Sequence, residues 1–126
     1  MKLLTLDIKV GIYFLIDQGK IVYVGQSVNV HNRVMIHKIE GVKSFEHYSI
    51  IECDKIELDE VESNFTFLYE PKYNKKISDT SYCSVRYVSE LYDISPRSAQ
   101  RMIESNSNCR MFKDKPYVKK ALLDEN

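Results

Sequence analysis

Residues 11–27 read GIYFLIDQGKIVYVGQS. Two apolar runs flank Asp17-Gln18-Gly19, and each run sets a tyrosine near a glycine: Gly11-Ile12-Tyr13 ahead of the turn, Tyr23-Val24-Gly25 behind it. β-branched and aromatic residues on both sides of a glycine-bearing turn predict a hairpin. A three-residue loop with Gly19 in the left-handed region would place Tyr13 opposite Tyr23, Phe14 opposite Val22, Leu15 opposite Ile21 and Ile16 opposite Lys20. The tyrosines would then share one face. Ile12, Phe14, Ile16, Val22 and Val24 would line the other, ready to pack against helices. A two-residue loop would send the tyrosines to opposite faces, because the side-chain period is two.

The chain continues with a helix entrance. Asn29 or Ser27 can cap VHNRVMIHKIE, residues 30–40, with Val30, Val34 and Met35 facing inward and Gly41 as the stop. Arg33 and His37 are four apart and share a face. Strand character returns around Tyr48–Ile51. KIELDEVESNFTFLYE then has helical spacing, with Leu58, Val61, Phe65 and Leu68 as the apolar stripe and Glu62 beside it. Glu70-Pro71 ends that helix, and Lys72-Tyr73-Asn74-Lys75-Lys76 follows as a basic loop. Residues 77–82 read as a short linker. Beyond it, YVSELYDISPRSAQRMIE predicts two short helices, with Val88 and Leu91 inward on the first. Ser95 caps the second, Pro96 opens it, and Ala99 and Met102 face inward. That leaves Arg97, Ser98, Gln100 and Arg101 on the outer face, as in a helix-turn-helix. The tail from Met111 can add a wing or a packing helix.

With 126 residues the chain is one domain, or a compact domain with an appendage. The boundaries that follow are 1–76 and 77–126. No apolar run is long enough to span a bilayer, and Asp7 and Lys9 interrupt the stretch a signal peptide would need. The expectation is a soluble, cytoplasmic protein that does not engage membranes. Three cysteines, Cys53, Cys83 and Cys109, form no C-x-x-C, and they read as free thiols. Cys53 reads as buried strand filler, and His31 and His47 as surface or packing histidines. Net charge is zero, which weighs against a protein held on nucleic acid by nonspecific attraction alone. The charge is nonetheless uneven. Residues 52–62 are strongly acidic, whereas Arg97, Arg101, Arg110, Lys113, Lys115, Lys119 and Lys120 face only Glu104 and Asp114 near the C-terminus.

Five elements then occur in order: Gly11-Ile12-Tyr13, Tyr23-Val24-Gly25, the Arg33/His37 pair, Glu62, and Pro71-Lys72-Tyr73-Asn74. Over residues 10–76 this is similar to the GIY-YIG nuclease domain, with Val24 where the family name has isoleucine and a slightly short spacer between the motifs. The resemblance implies an α+β fold, a small three-stranded antiparallel sheet flanked by helices, followed here by a small helical C-terminal region. It implies metal-dependent cleavage of DNA phosphodiester bonds with one Mg²⁺ or Mn²⁺ per site, held by Glu62. Tyr13 is then the candidate general base, with His37 accepting or relaying its proton and nearby cations favouring phenolate. Arg33 pairs with phosphate oxygens, Tyr23 with the phosphate or the attacking water, and Asn74 orients a phosphate or the metal carboxylate. The DNA-contact candidates are Gly25, Lys38 and Lys72 in this region and Arg97 and Arg101 beyond it.

Similar architectures occur among homing-type and phage-encoded nucleases, restriction enzymes and excision-repair proteins. By analogy the short chain suits a phage or mobile-element endonuclease best. Two rivals belong to other classes: a DNA-binding or regulatory protein that keeps the fold and cuts nothing, and a subunit completed by a partner. Monomer and homodimer both fit, with Tyr117, Val118, Leu122 and Leu123 as candidate interface residues.

Overall fold

The computed structural model describes residues 8–78 and 81–123. Asp7, two residues of the expected linker (79–80) and the last three residues lie outside the described residues. The chain divides between Lys75 and Lys76 into two compact units.

In the first unit, β1 (Gly11–Asp17) and β2 (Lys20–Ser27) form the hairpin, and β3 (His47–Glu52) pairs antiparallel with β1, giving the order β2-β1-β3. The sheet is the expected one, but the hairpin register is not. Gln18 and Gly19 both have positive φ, 53° and 76°, so the loop is the two-residue kind with Asp17 opposite Lys20. Ile16 pairs with Ile21, yet Leu15 pairs with Tyr23, which leaves Val22 as an extra residue in a β-bulge. A two-residue loop alone would have separated the tyrosines. The bulge adds one residue to β2 and restores the parity. Tyr13 therefore faces Gly25 directly, and Tyr23 lies diagonally beside it on the same face. The bulge also moves Val22 from its expected face. It packs with Tyr13, Leu15, Val30 and Val34, while Ile21 joins Ile12, Phe14 and Val24 on the other side.

Two helices cover the sheet. α1 (Val30–Glu40) starts at Asn29, whose side chain accepts from the Asn32 N–H, while the Ser27 hydroxyl accepts from the Asn29 N–H at 2.9 Å. It stops at Gly41, left-handed at φ 68°. Val30, Val34 and His37 are its buried residues, and Met35, expected inside, is exposed. A short 3-10 turn (Lys55–Glu57) leads into α2 (Leu58–Tyr69). Leu58, Val61 and Phe65 pack on the Ile12/Phe14/Val24 face as the stripe predicts. Leu68 is instead exposed, because the buried face turns toward Glu62, Ser63, Thr66 and Phe67. Cys53 is half-buried just beyond β3.

The second unit holds more strand than the sequence suggests. β4 (Tyr82–Cys83) starts within the stretch read as linker. α3 (Val85–Tyr92) and α4 (Pro96–Glu104) follow, the latter capped by Ser95 with Pro96 at its first position. Of the two alternatives for the tail, the hairpin forms: β5 (Arg110–Phe112) and β6 (Lys115–Lys119), turning at Lys113 and Asp114, both of positive φ. The sheet order is β4-β6-β5. Its core is Cys83, Val88, Ala99, Ile103, Val118 and Leu123. Leu91 points out of this core, whereas Tyr117, Val118 and Leu123, read from sequence as interface candidates, are buried in their own unit. They become core because the strand they lie on or follow is covered by α4, which periodicity over a short tail cannot reveal.

Candidate active site

The hairpin register decides what surrounds Tyr13. Its ring lies over Gly25: a Cβ built there would meet the Tyr13 Cζ and hydroxyl at 2.4 Å and Tyr23 Cε2 at 2.8 Å. Only glycine leaves room at this position for the Tyr13 ring to approach β2 so closely. Gly25 is itself buried. Tyr13, 1% exposed, reaches α1, where its hydroxyl lies 2.8 Å from His37 Nε2.

Three rings form a triangle. The Tyr13 and Tyr23 centroids are 6.0 Å apart, Tyr13 and His37 5.6 Å, and Tyr23 and His37 5.2 Å. Arg33, one turn before His37, is half-buried, and its guanidinium acts on Tyr13. Glu62 enters from α2, 7% exposed, with its charge acting on both tyrosines. A carboxylate so covered in the middle of a helix is not accounted for by the hydrophobic stripe beside it.

The electrostatics keep these groups neutral where the sequence reading expected ionisation. Burial pushes the Tyr13 phenol well above its ordinary pKa, and the Arg33 charge and hydrogen bond offset this only in part. Tyr23 is raised for the same leading reason, with Glu62 adding to it. Arg33 does favour the phenolate, as expected of a nearby cation, but desolvation outweighs it. Burial, then Arg33 and then Lys43, lowers the His37 pKa. A neutral imidazole whose Nε2 accepts from Tyr13 carries its proton on Nδ1, which lies 3.8 Å from Glu40 Oε1.

Tyr13, Tyr23, Arg33, His37 and Glu62 thus converge. Asn74 sits nearby in chain order but has another engagement: its Oδ1 accepts from the Val24 N–H at 2.9 Å and its Nδ2 donates to the Val24 carbonyl at 2.9 Å. With the Tyr73 N–H donating to the Val22 carbonyl at 2.9 Å, this loop lies along the free edge of β2. Lys38 is exposed on α1, and Lys72 is exposed with its Nζ 5.1 Å from the Tyr73 ring centroid. Arg97 and Arg101 are exposed on α4 in the second unit. His31 and His47 are exposed, and His31 Nδ1 lies 2.8 Å from the Tyr48 hydroxyl.

The sequence reading missed Lys43. Its Nζ lies 4.7 Å from the Tyr23 ring centroid, and its charge acts on His37. No motif spacing points to it; only the loop after Gly41 brings it there. For a metal, the described residues contain no cluster of three or more His, Cys, Asp or Glu side chains. Glu62 is the hard donor at the tyrosine face, and a single carboxylate suits an ion that keeps most of its waters.

Among proteins of known identity, UvrABC system protein C of Caldicellulosiruptor saccharolyticus is 30% identical over 105 residues, a match covering 72% of this chain. The chain is similar to part of that protein. It spans 17% of the length of that relative. No family model and no solved structure matches the chain. Among the described residues, no helix is long and apolar enough to cross a membrane.

Proposed function

We propose that this chain is a metal-dependent DNA endonuclease with GIY-YIG chemistry, cutting phosphodiester bonds at the tyrosine face of the first unit. The observation that carries this reading is the 2.8 Å contact between the buried Tyr13 hydroxyl and His37 Nε2, flanked by Arg33 and Glu62. The motif resemblance and the similarity to UvrABC system protein C support it.

In the resting site Tyr13 is a phenol and His37 a neutral base. A water held at the Tyr13 oxygen gives up its proton there as the phenolic proton passes to His37 Nε2. Two short transfers replace one formation of a free phenolate, which burial disfavours. Arg33 meets the charge that builds on the phosphoryl oxygens. Glu62 is the residue that would hold Mg²⁺ or Mn²⁺. Such an ion, when bound, would supply charge compensation to the reacting phosphodiester. Asn74 acts as a positioning residue: it fixes the β2 peptide at Val24, next to Gly25 beneath Tyr13.

The second unit supplies DNA affinity in this reading. α4 presents Arg97 and Arg101, and the β5–β6 hairpin turns at Lys113. A phage or mobile-element setting suits a chain that carries both a cutting and a binding unit. The test is cleavage of supercoiled plasmid by wild type and Glu62→Gln, with Mg²⁺ and with EDTA. Metal-dependent nicking that vanishes in the variant is expected. Equal cleavage by both proteins would remove Glu62 from the chemistry. Tight DNA binding without cleavage under any condition would favour the regulatory alternative.

A further inference from the structure

We propose that Lys43 and the Tyr23 ring form a subsite for a DNA backbone phosphate next to the cleaved one, distinct from the phosphate met by Arg33. This rests on the nuclease reading.

Lys43 is fixed in place before any substrate arrives. The loop that carries it leaves α1 at Gly41, whose N–H donates to the His37 carbonyl at 3.2 Å. Past Lys43, the Ser44 N–H donates to the Tyr73 hydroxyl at 3.1 Å, and the Glu46 N–H donates to the Ile16 carbonyl at 2.8 Å. The ammonium lies 4.7 Å from the Tyr23 ring centroid. Stacking on a ring holds a lysine head group without neutralising it. Among the described residues no carboxylate pairs with Lys43 in an ion pair. The residue is half-buried, not sealed in the core. Both Arg33 and Lys43 act on the His37 imidazole, so two cations flank the ring triangle while Glu62 is the carboxylate that acts on both tyrosines. A preset cation with no ion-pair partner among the described residues, on the face where a phosphodiester would react, has the features of an anion subsite. A lysine that only covered Tyr23 would leave DNA affinity unchanged when removed.

The test uses the full chain carrying Glu62→Gln, so that DNA is bound and not cut, and a fluorescent duplex oligonucleotide titrated between 50 and 200 mM salt. One lost phosphate contact reduces the slope of log K against log salt by about 0.9, which makes the affinity loss across that range about 3.5-fold smaller. Lys43→Ala is expected to show this change and weaker binding at low salt. Lys43→Arg keeps the cation and is expected to keep the slope, whereas Tyr23→Leu removes the stacking partner and is expected to weaken binding. Circular dichroism checks that each variant is folded. An unchanged slope and affinity in a folded Lys43→Ala would overturn the subsite while leaving the nuclease reading standing. A parent protein that binds no duplex at any salt concentration would overturn both.

Discussion

Gly25→Ala is the most direct test of how the hairpin builds the site. The added Cβ would lie 2.4 Å from the Tyr13 Cζ and hydroxyl and 2.8 Å from Tyr23 Cε2. The tip of a side chain can often swing away, but Tyr13 is 1% exposed and its hydroxyl is held 2.8 Å from His37 Nε2. Either the ring shifts and breaks that contact, or β1 and β2 separate at the Tyr13–Gly25 pair. Overpacking costs about 1–3 kcal/mol and a lost buried hydrogen bond about 1 kcal/mol more, so the expected destabilisation is about 2–4 kcal/mol. For a unit of this size that is a fall in melting temperature of roughly 8–32 °C. Thermal and urea unfolding would measure it. A double-mutant cycle with Tyr13→Leu supplies the control: with the ring gone, Gly25→Ala should cost much less. Stability within about 0.5 kcal/mol of wild type would refute the packing account, since surface-like substitutions fall in that range. Full additivity with Tyr13→Leu would refute it as well.

Asn74→Ala should destabilise the first unit by about 2–4 kcal/mol in urea unfolding, because it strips both partners from the buried Val24 peptide. Its effect on cleavage should follow loss of folding at 37 °C, with catalysis largely recovered at lower temperature. His37 has a folded pKa below its unfolded value of 6.5, so the unfolded chain binds more protons once pH falls below about 6.5. Stability should therefore decline as pH falls from there to the folded pKa. His37→Gln should remove that decline, and NMR titration of the imidazole would place the folded midpoint. The acid limb of the cleavage profile should sit at that same midpoint, below pH 6.5. Arg97→Ala with Arg101→Ala should weaken duplex binding and reduce the salt slope by about 1.8, read by fluorescence anisotropy. An unchanged slope would assign α4 to packing.

Much of the site was legible in the chain because its parts lie on regular elements with local signals. Asn29 and Gly41 bound α1 by capping chemistry, so the four-residue step from Arg33 to His37 places both on one face wherever that helix docks. Ser95 and Pro96 mark the start of α4 in the same local way. The motif spacing likewise marked the tyrosines, Glu62 and Asn74. What sequence could not settle depends on partners distant in the chain. The bulge at Val22 exists because β2 must pack Ile21 on one face and Val22 with Tyr23 on the other, and a turn rule that counts only the loop misses it. Asn74 spends its amide on Val24, fifty positions earlier, so no spacing rule shows its occupation. Tyr13 stays a phenol because tertiary burial outweighs Arg33, and the balance of those two terms exists only once α1 covers the sheet. Lys43 carries no motif at all and reaches Tyr23 through a loop tied down by Tyr73 and Ile16. The sequence by itself determined which chemical groups are present and on which local elements. Tertiary structure decided their register, their protonation and which of them meet at the tyrosine face, because those depend on desolvation and on contacts between segments far apart in the chain.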